Sequence, residues 1–72
     1  MERYLNLSGI SPIVFYEIAE TSITVWYLDS KRTYTYSYRK AGREHVEVLK
    51  VLARSGLGLS TFINRNVRSL YD

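Results

Sequence analysis

The sequence predicts an α+β domain: a three-stranded antiparallel meander followed by two helices on one of its faces, in the order β-β-β-α-α. Two observations lead to this prediction. Apolar and aromatic residues alternate with polar ones in the first half of the chain, which is typical of strands exposed on one face. After Gly42 the apolar residues instead recur with the period of a helix. The chain has 72 residues, the length of one domain.

The first predicted strand spans residues 13–18, Ile-Val-Phe-Tyr-Glu-Ile. It follows Pro12, which has no amide hydrogen to donate and therefore suits the start of a strand. Residues 1–9 are expected to form a lead-in segment, and strand structure within it is left open. A turn at residues 19–21 leads into the second strand, residues 22–28, which is rich in β-branched and aromatic residues.

The third predicted strand, residues 32–38, carries three tyrosines at period two, Tyr34, Tyr36 and Tyr38, with Thr or Ser between them. Successive side chains of a strand point to opposite faces, so one face of this strand is all tyrosine. Aromatic rings contribute most of the buried area in a small core. We therefore expect the tyrosines to form structural core beneath the helices, with their hydroxyl groups at the rim.

The same argument assigns faces in the other two strands. Ile23, Val25 and Tyr27 should share the covered face, while Thr24 and Trp26 point to the open face. In the first strand Ile13 and Phe15 are expected to point inward. Val14 and Tyr16 would then flank Trp26 on the open side.

The first helix is predicted over residues 43–54, with a broad apolar face, and Gly56 should end it. Salt bridges Arg43–Glu47 and Glu47–Lys50 are expected along it. The second helix is predicted over residues 58–72, with Ser60 or Thr61 as N-cap. Its residues expected to face inward are Phe62, Ile63, Val67 and Leu70, and those expected to face water are Asn64, Arg65, Arg68 and Ser69.

Composition narrows the possible functions. The chain has no cysteine and one histidine, so neither a disulfide nor a Cys/His zinc site is expected, and no other metal or cofactor is predicted. The N-terminal residues do not have the pattern of a signal peptide, and no apolar run approaches the length of a membrane span. We therefore expect a cytoplasmic protein without a membrane partner. The net charge of +3 permits an acidic partner such as nucleic acid without requiring one.

Catalysis is not expected. Glu44 and Glu47 are three residues apart on the predicted helix, but Arg43 and Lys50 flank them, which is typical of a solvated ion-pair face. His45 has no cysteine or suitably placed serine to activate. The sequence therefore predicts a protein that is not an enzyme.

Two motifs occur in a characteristic order. Tyr34-Thr35-Tyr36 precedes the first helix, and after a glycine turn comes a segment from Gly58 to Tyr71 with a Phe–Asn–Val–Arg–Tyr pattern. In this the chain resembles the KTSC domain, a module found alone in bacterial and phage proteins and at the end of some lysyl-tRNA synthetases. The proline usual after the family's tyrosine strand is replaced here by residues 39–41, Arg-Lys-Ala. The family it resembles has no established activity, and the synthetase context favours RNA binding.

Two groups of residues are candidates for binding. The first is the open face of the sheet, with Tyr16 and Trp26 edged by Arg32 and Arg39, because Trp, Tyr and Arg are enriched at binding hot spots. An exposed aromatic that merely covers the sheet is the alternative for Trp26. The second group consists of Asn64, Arg65 and Arg68. The guanidinium groups of the two arginines match phosphates or carboxylates. A simply solvated helix face is the alternative there.

The leading hypothesis is a small non-enzymatic binding module whose arginines contact the phosphates of RNA or another nucleic acid, with an aromatic side chain stacking on a base. The alternative is a protein-interaction module that docks on a larger protein, as a small phage-type protein does on host machinery such as RNA polymerase. Formation of a homo-oligomer through the open face is a third possibility.

Overall fold

Four antiparallel strands form one sheet in the order β1-β2-β3-β4, and helical segments follow them along the chain. The computed structural model describes residues 1–72. The strands are β1 (Glu2–Arg3), β2 (Ile13–Ile18), β3 (Ser22–Tyr27) and β4 (Thr33–Ser37). The helices are α1 (Arg43–Ser55) and α2 (Leu59–Phe62), and α2 continues into a π-helical turn, Ile63–Val67.

The α+β class and the meander are confirmed, whereas the predicted number of strands is one too few. The additional strand, β1, pairs Glu2 with Tyr16 and Arg3 with Phe15. A strand of two residues is too short to show alternation, so the sequence contains no periodic signal for it.

The hydrophobic core lies between one face of the sheet and the helices. Ile23 and Val25 of β3 are fully buried there, and so are Val46 and Leu49 of α1. The opposite face carries Thr24, Trp26, Thr33 and Thr35, none of which is buried. The faces predicted for β3 are therefore confirmed. On β4, Tyr36 is 2% exposed, while Tyr34 is partly buried and packs against the core, as does Tyr38 directly after the strand.

The inward position predicted for Ile13 in β2 is confirmed, but the faces predicted for Phe15 and Tyr16 are wrong. Ile13 pairs with Tyr27 and Phe15 pairs with Trp26, so β2 advances two residues where β3 advances one, and a β-bulge results. Because one extra residue reverses the alternation, Phe15 lies on the open face opposite Trp26 and Tyr16 lies in the core with 6% exposure. The bulge thus exchanges the predicted positions of Phe15 and Tyr16.

The helix α1 packs its apolar face on the sheet and ends at Gly56, as predicted, in the left-handed conformation with φ 78°. A Cβ atom at Gly56 would lie 2.7 Å from the Cβ atom of Leu5, and the Leu7 amide donates to the Gly56 carbonyl at 2.8 Å. The end of α1 is therefore in tight contact with the segment that follows β1.

The second helix has a different N-cap from those predicted and ends sooner than predicted. Its N-cap is Gly58 with φ 83°, not Ser60 or Thr61. The amide of the fully buried Leu59 instead donates to the Tyr4 hydroxyl at 3.3 Å, so a side chain from the N-terminal segment takes the place of a cap. The helical segment ends at Val67, before the predicted residue 72. The Asp72 amide then donates to the Thr35 carbonyl at 2.7 Å, along the free edge of β4.

Candidate functional site

A groove of about 400 Å³ opens between the β3–β4 hairpin and the end of the helical segment. The residues that line it are Tyr27, Ser30, Tyr34, Tyr36, Ile63, Asn64, Arg68 and Tyr71. We call it the tyrosine groove. Four tyrosines contribute to its walls, and no carboxylate does.

The tyrosines of the groove contact one another edge to face. The ring centroids of Tyr27 and Tyr34 are 5.5 Å apart, and those of Tyr34 and Tyr71 are 4.9 Å apart, with interplanar angles of 84° and 83°. Tyr36 and Tyr71 are 6.5 Å apart in the same arrangement. Such pairs follow the preferred electrostatics of aromatic rings. They fix the position of Tyr71, which comes from the last turn of the chain.

Burial raises the pKa of two of these tyrosines. It raises the pKa of Tyr36 well above its ordinary value, and the neighbouring hydroxyls of Tyr27, Tyr34 and Tyr71 raise it further. The pKa of Tyr27 is raised chiefly by burial as well. Both phenols therefore stay neutral to a higher pH than an exposed tyrosine does.

Two arginines reach this groove from distant parts of the sequence. The Arg32 guanidinium carbon, from the β3–β4 loop, lies 5.2 Å from the Tyr34 ring centroid and 6.0 Å from that of Tyr71. Arg68, just after the π-helical turn, lines the groove directly. Both side chains are exposed and neither forms a salt bridge. Two guanidinium groups thus remain available at one aromatic surface.

The π-helical turn presents Asn64 to the groove. The side-chain amide of Asn66 donates to the Phe62 carbonyl at 3.2 Å, but the Asn64 side chain makes no hydrogen bond within the protein. Single π turns often occur at functional sites, since they shift side chains relative to a regular helix. Asn64 adds an unused donor and acceptor beside Arg68.

A second depression lies at the other end of β4. This polar cleft, of about 470 Å³, is lined by Ser37, Arg39, Lys40 and Asp72. The Ser37 hydroxyl donates to Asp72 Oδ1 at 2.7 Å. The Asp72 carboxylate forms no salt bridge with Arg39 or Lys40, because the protein contains only the pairs Met1–Glu17 and Glu47–Lys50.

The open face of the sheet forms a separate surface. Phe15 and Trp26 are cross-strand neighbours there, and the hydroxyls of Thr24 and Thr35 are 2.8 Å apart. An apolar hollow of about 420 Å³ adjoins Phe15. Its lining residues are Arg3, Tyr4, Leu5, Asn6, Ile13, Val14, Phe15 and Leu28.

The structure thus divides the predicted binding residues among several places. Arg68 lines the tyrosine groove, and Arg32 lies against two of its tyrosine rings. Trp26 lies on the opposite face of the sheet, and Arg39 lies in the polar cleft. Arg65 is exposed but does not line the groove. The prediction that Tyr16 is an exposed contact residue is wrong, because the bulge in β2 buries it.

Sequence reasoning missed that Tyr27 and Tyr71 would share one groove with two arginines. Tyr27 was expected beneath the helices, and Phe62 was expected in the core, where it lies partly buried. The contact of Tyr71 with Tyr34 depends on how residues 70–72 return to β4 after the helix ends. No periodicity in the sequence signals that return.

The residues considered for catalysis have structural contacts. His45 Nδ1 is 2.7 Å from the Ala41 carbonyl oxygen, and Glu47 accepts a hydrogen bond from the Tyr38 hydroxyl at 2.5 Å. The buried Lys50 ammonium bonds to Glu47 at 2.9 Å and to the Glu20 carbonyl at 2.9 Å. No three His, Cys, Asp or Glu side chains lie close enough together to hold a metal ion. None of the helices has the length and apolar character that crossing a membrane requires.

Comparison with known proteins yields no match: no protein-family model, curated protein or solved structure matches the chain. The resemblance to the KTSC domain therefore stays a prediction from the two motifs, and the function must be argued from the site itself.

Proposed function

We propose that this protein is a small non-enzymatic binding module for single-stranded RNA, and that the tyrosine groove is its binding site. The observation that carries the proposal is that Arg68 lines an aromatic groove without a carboxylate in its lining, while the Arg32 guanidinium lies against the rings of Tyr34 and Tyr71 from the same groove. Single-stranded RNA offers both phosphates for arginine and unstacked bases for aromatic rings.

The chemistry of the groove matches both parts of a nucleotide. A guanidinium binds two phosphate oxygens at once through its fork of N–H groups. Contact with the Tyr34 and Tyr71 rings limits the freedom of Arg32, so less conformational entropy is lost on binding. Base stacking on an aromatic side chain contributes about 1–3 kcal/mol per base.

The distribution of charge supports the same site. Residues 1–28 hold three carboxylates and a single arginine, whereas residues 29–72 hold the nine other cations and four carboxylates. None of the seven arginines forms a salt bridge within the protein. The half of the chain that builds β4 and the helices is therefore the cationic half, and it attracts polyanions at long range.

The salt dependence of affinity tests the proposal. Binding of a fluorescein-labelled 12-nucleotide oligo(U) strand is measured by fluorescence anisotropy at several salt concentrations. Each phosphate contact on a single strand contributes about −0.7 to the slope of log affinity against log salt. The double substitution Arg32→Gln/Arg68→Gln should weaken binding and make the slope less negative by about 1.4.

A matched control separates the groove from total charge. The double substitution Arg3→Gln/Arg54→Gln removes the same number of charges, but neither residue lines the tyrosine groove or lies against its tyrosine rings. It should leave the slope nearly unchanged. An affinity that does not depend on salt, or an equal loss in both double variants, would contradict RNA binding at this site.

A second candidate function is docking on a larger protein through the open face. The bulge in β2 favours it, because it places Phe15 beside Trp26 and next to the apolar hollow. Aromatic side chains of this kind are enriched at protein interfaces. Phe15→Ala/Trp26→Ala should then abolish capture of the partner by the immobilised protein, while Arg32→Gln/Arg68→Gln should leave it intact. The reverse pattern favours RNA.

A further inference from the structure

We propose that a bound RNA strand continues from the tyrosine groove along the free edge of β4 to the polar cleft, and that the Asp72 carboxylate competes with a phosphate there. This inference rests on the proposed RNA binding. It adds a second phosphate site and an internal competitor, both formed by residues outside the groove.

The path follows from where β4 begins and ends. β4 is the last strand of the sheet, so one of its edges has no strand partner. Arg32 immediately precedes β4, and Arg39 and Lys40 follow it closely. A five-residue strand is about 16 Å long at roughly 3.3 Å per residue. Cations therefore stand at both ends of one edge, a few nucleotides apart.

The last residues of the chain cross this edge between the two basic sites. Tyr71 packs against Tyr34 in the groove, and the Asp72 amide donates to the Thr35 carbonyl at 2.7 Å. The next side chain, that of Asp72, reaches the polar cleft, where the Ser37 hydroxyl donates to it. One short segment thus forms a wall of the groove and fills part of the cleft.

The Asp72 carboxylate accepts the same hydrogen bond in the polar cleft that a bound phosphate oxygen would accept. It accepts the Ser37 hydroxyl at 2.7 Å and shares the cleft with Arg39 and Lys40. It lies more than 4.0 Å from both cationic groups, since neither forms a salt bridge. Arg39 and Lys40 are therefore not neutralised at close range, and a phosphate can pair with them if it displaces or repels the carboxylate.

Asp72→Asn tests the competition, because it removes the charge and keeps an acceptor for Ser37. With the 12-nucleotide oligo(U) strand, this variant should bind roughly two- to fivefold more tightly than the native protein, as expected for one exposed charge contact. The salt slope should become more negative by about 0.7, the value for one added phosphate contact. Arg39→Gln/Lys40→Gln should cancel the gain when combined with Asp72→Asn.

Glu2→Gln is the matched control. It changes the net charge by the same amount at β1, the opposite edge of the sheet. A labelled uridine dinucleotide gives a second control, since a ligand with a single internucleotide phosphate cannot contact the basic sites at both ends of the five-residue strand β4. It should bind native protein and Asp72→Asn equally. Circular dichroism establishes that each variant is folded.

The outcomes separate the two proposals. If Asp72→Asn gives no gain, or if Glu2→Gln gives the same gain, the competition is wrong, while RNA binding stands as long as Arg32→Gln/Arg68→Gln flattens the salt slope. If native protein shows no salt-dependent binding of oligo(U), both proposals are wrong. A gain confined to Asp72→Asn and lost on removal of Arg39 and Lys40 establishes the second phosphate site.

Discussion

The two faces of the sheet are built from adjacent residues of the same strands, yet different interactions stabilise them. On the covered face, Ile23 and Val25 are fully buried. The open face carries the hydrogen-bonded hydroxyls of Thr24 and Thr35 and two aromatic rings. Apolarity alone does not decide which side chain goes where. Phe15 is more apolar than Tyr16, but Phe15 is 36% exposed and Tyr16 only 6%. Strand register decides instead.

Alanine substitution of Tyr16 and of Phe15 should give the largest difference in the free energy of unfolding between the two faces. Tyr16→Ala should lower the free energy of unfolding by about 3 kcal/mol or more, the cost of removing a buried ring, which approaches the total stability of a domain this small. Phe15→Ala should cost clearly less, because Phe15 is 36% exposed and the substitution removes less buried surface. Urea unfolding followed by circular dichroism measures both values.

Tyr16→Phe is the control for this pair. It keeps the ring in the core, so its cost should be small compared with that of Tyr16→Ala. If Phe15→Ala proves as destabilising as Tyr16→Ala, the bulge is absent in solution and β2 has the regular alternation that the sequence suggests.

These strands also show how far the fold could be predicted. In β3 and β4 the alternation is unbroken, and the faces of Ile23, Val25, Thr24 and Trp26 followed from it. A bulge in β2 leaves no mark in composition, because it depends on how the backbone pairs with β3. β1 is recognised only through its pairing with β2, which is a tertiary contact.

The candidate site was predictable only in its parts. Arg32 and Arg68 could be chosen from the sequence as exposed cations. Their shared position beside the Tyr34 and Tyr71 rings requires a helix that stops at Val67 and a chain that returns to β4. The start of α2 was misplaced for a related reason. Tyr4, more than fifty residues earlier, supplies the acceptor for the Leu59 amide, and local capping rules do not include such a partner.

The contact between Gly56, at the end of α1, and Leu5 of the N-terminal segment gives the next largest expected effect on stability. Gly56→Ala forces a left-handed conformation on alanine, at about 1–2 kcal/mol, and brings its Cβ into contact with Leu5. Gly9→Ala is the matched control, since Gly9 has φ 76° but no atom within 4 Å of an added Cβ. Thermal unfolding should show a larger loss for Gly56→Ala. Equal losses of stability would mean that Leu5 moves away from the added Cβ atom without an energetic cost.

Alkaline pH should weaken the covered face through its tyrosines. Burial raises the pKa of Tyr36 and of Tyr27, so the folded state keeps protons that the unfolded state releases near pH 10. The stabilisation is complete below pH 10 and is lost as pH rises toward the folded pKa, by about 1.4 kcal/mol per pH unit for one such group. Urea midpoints measured from pH 8 to 11 should fall above pH 10, and less steeply in Tyr36→Phe. An identical fall in both proteins would assign the effect to other groups.

The contact of Tyr38 with Glu47, at the rim of the covered face, gives the smallest expected effect: a shift in the pKa of Glu47 with little change in stability. The Tyr38 hydroxyl donates to Glu47 and, with Lys50, holds the pKa of Glu47 below its ordinary value. The resulting stabilisation is present above the ordinary carboxyl pKa and is lost as pH falls through the folded one. Tyr38→Phe should raise the Glu47 pKa toward its ordinary value without reaching it, since Lys50 remains 2.9 Å away. Carbon-detected NMR titration of the Glu47 carboxyl measures this shift, and Tyr34→Phe, which does not touch Glu47, should leave it unchanged. If Tyr38→Phe also leaves it unchanged, the contact between β4 and α1 at this rim does not persist in solution, and the covered face ends at Tyr36.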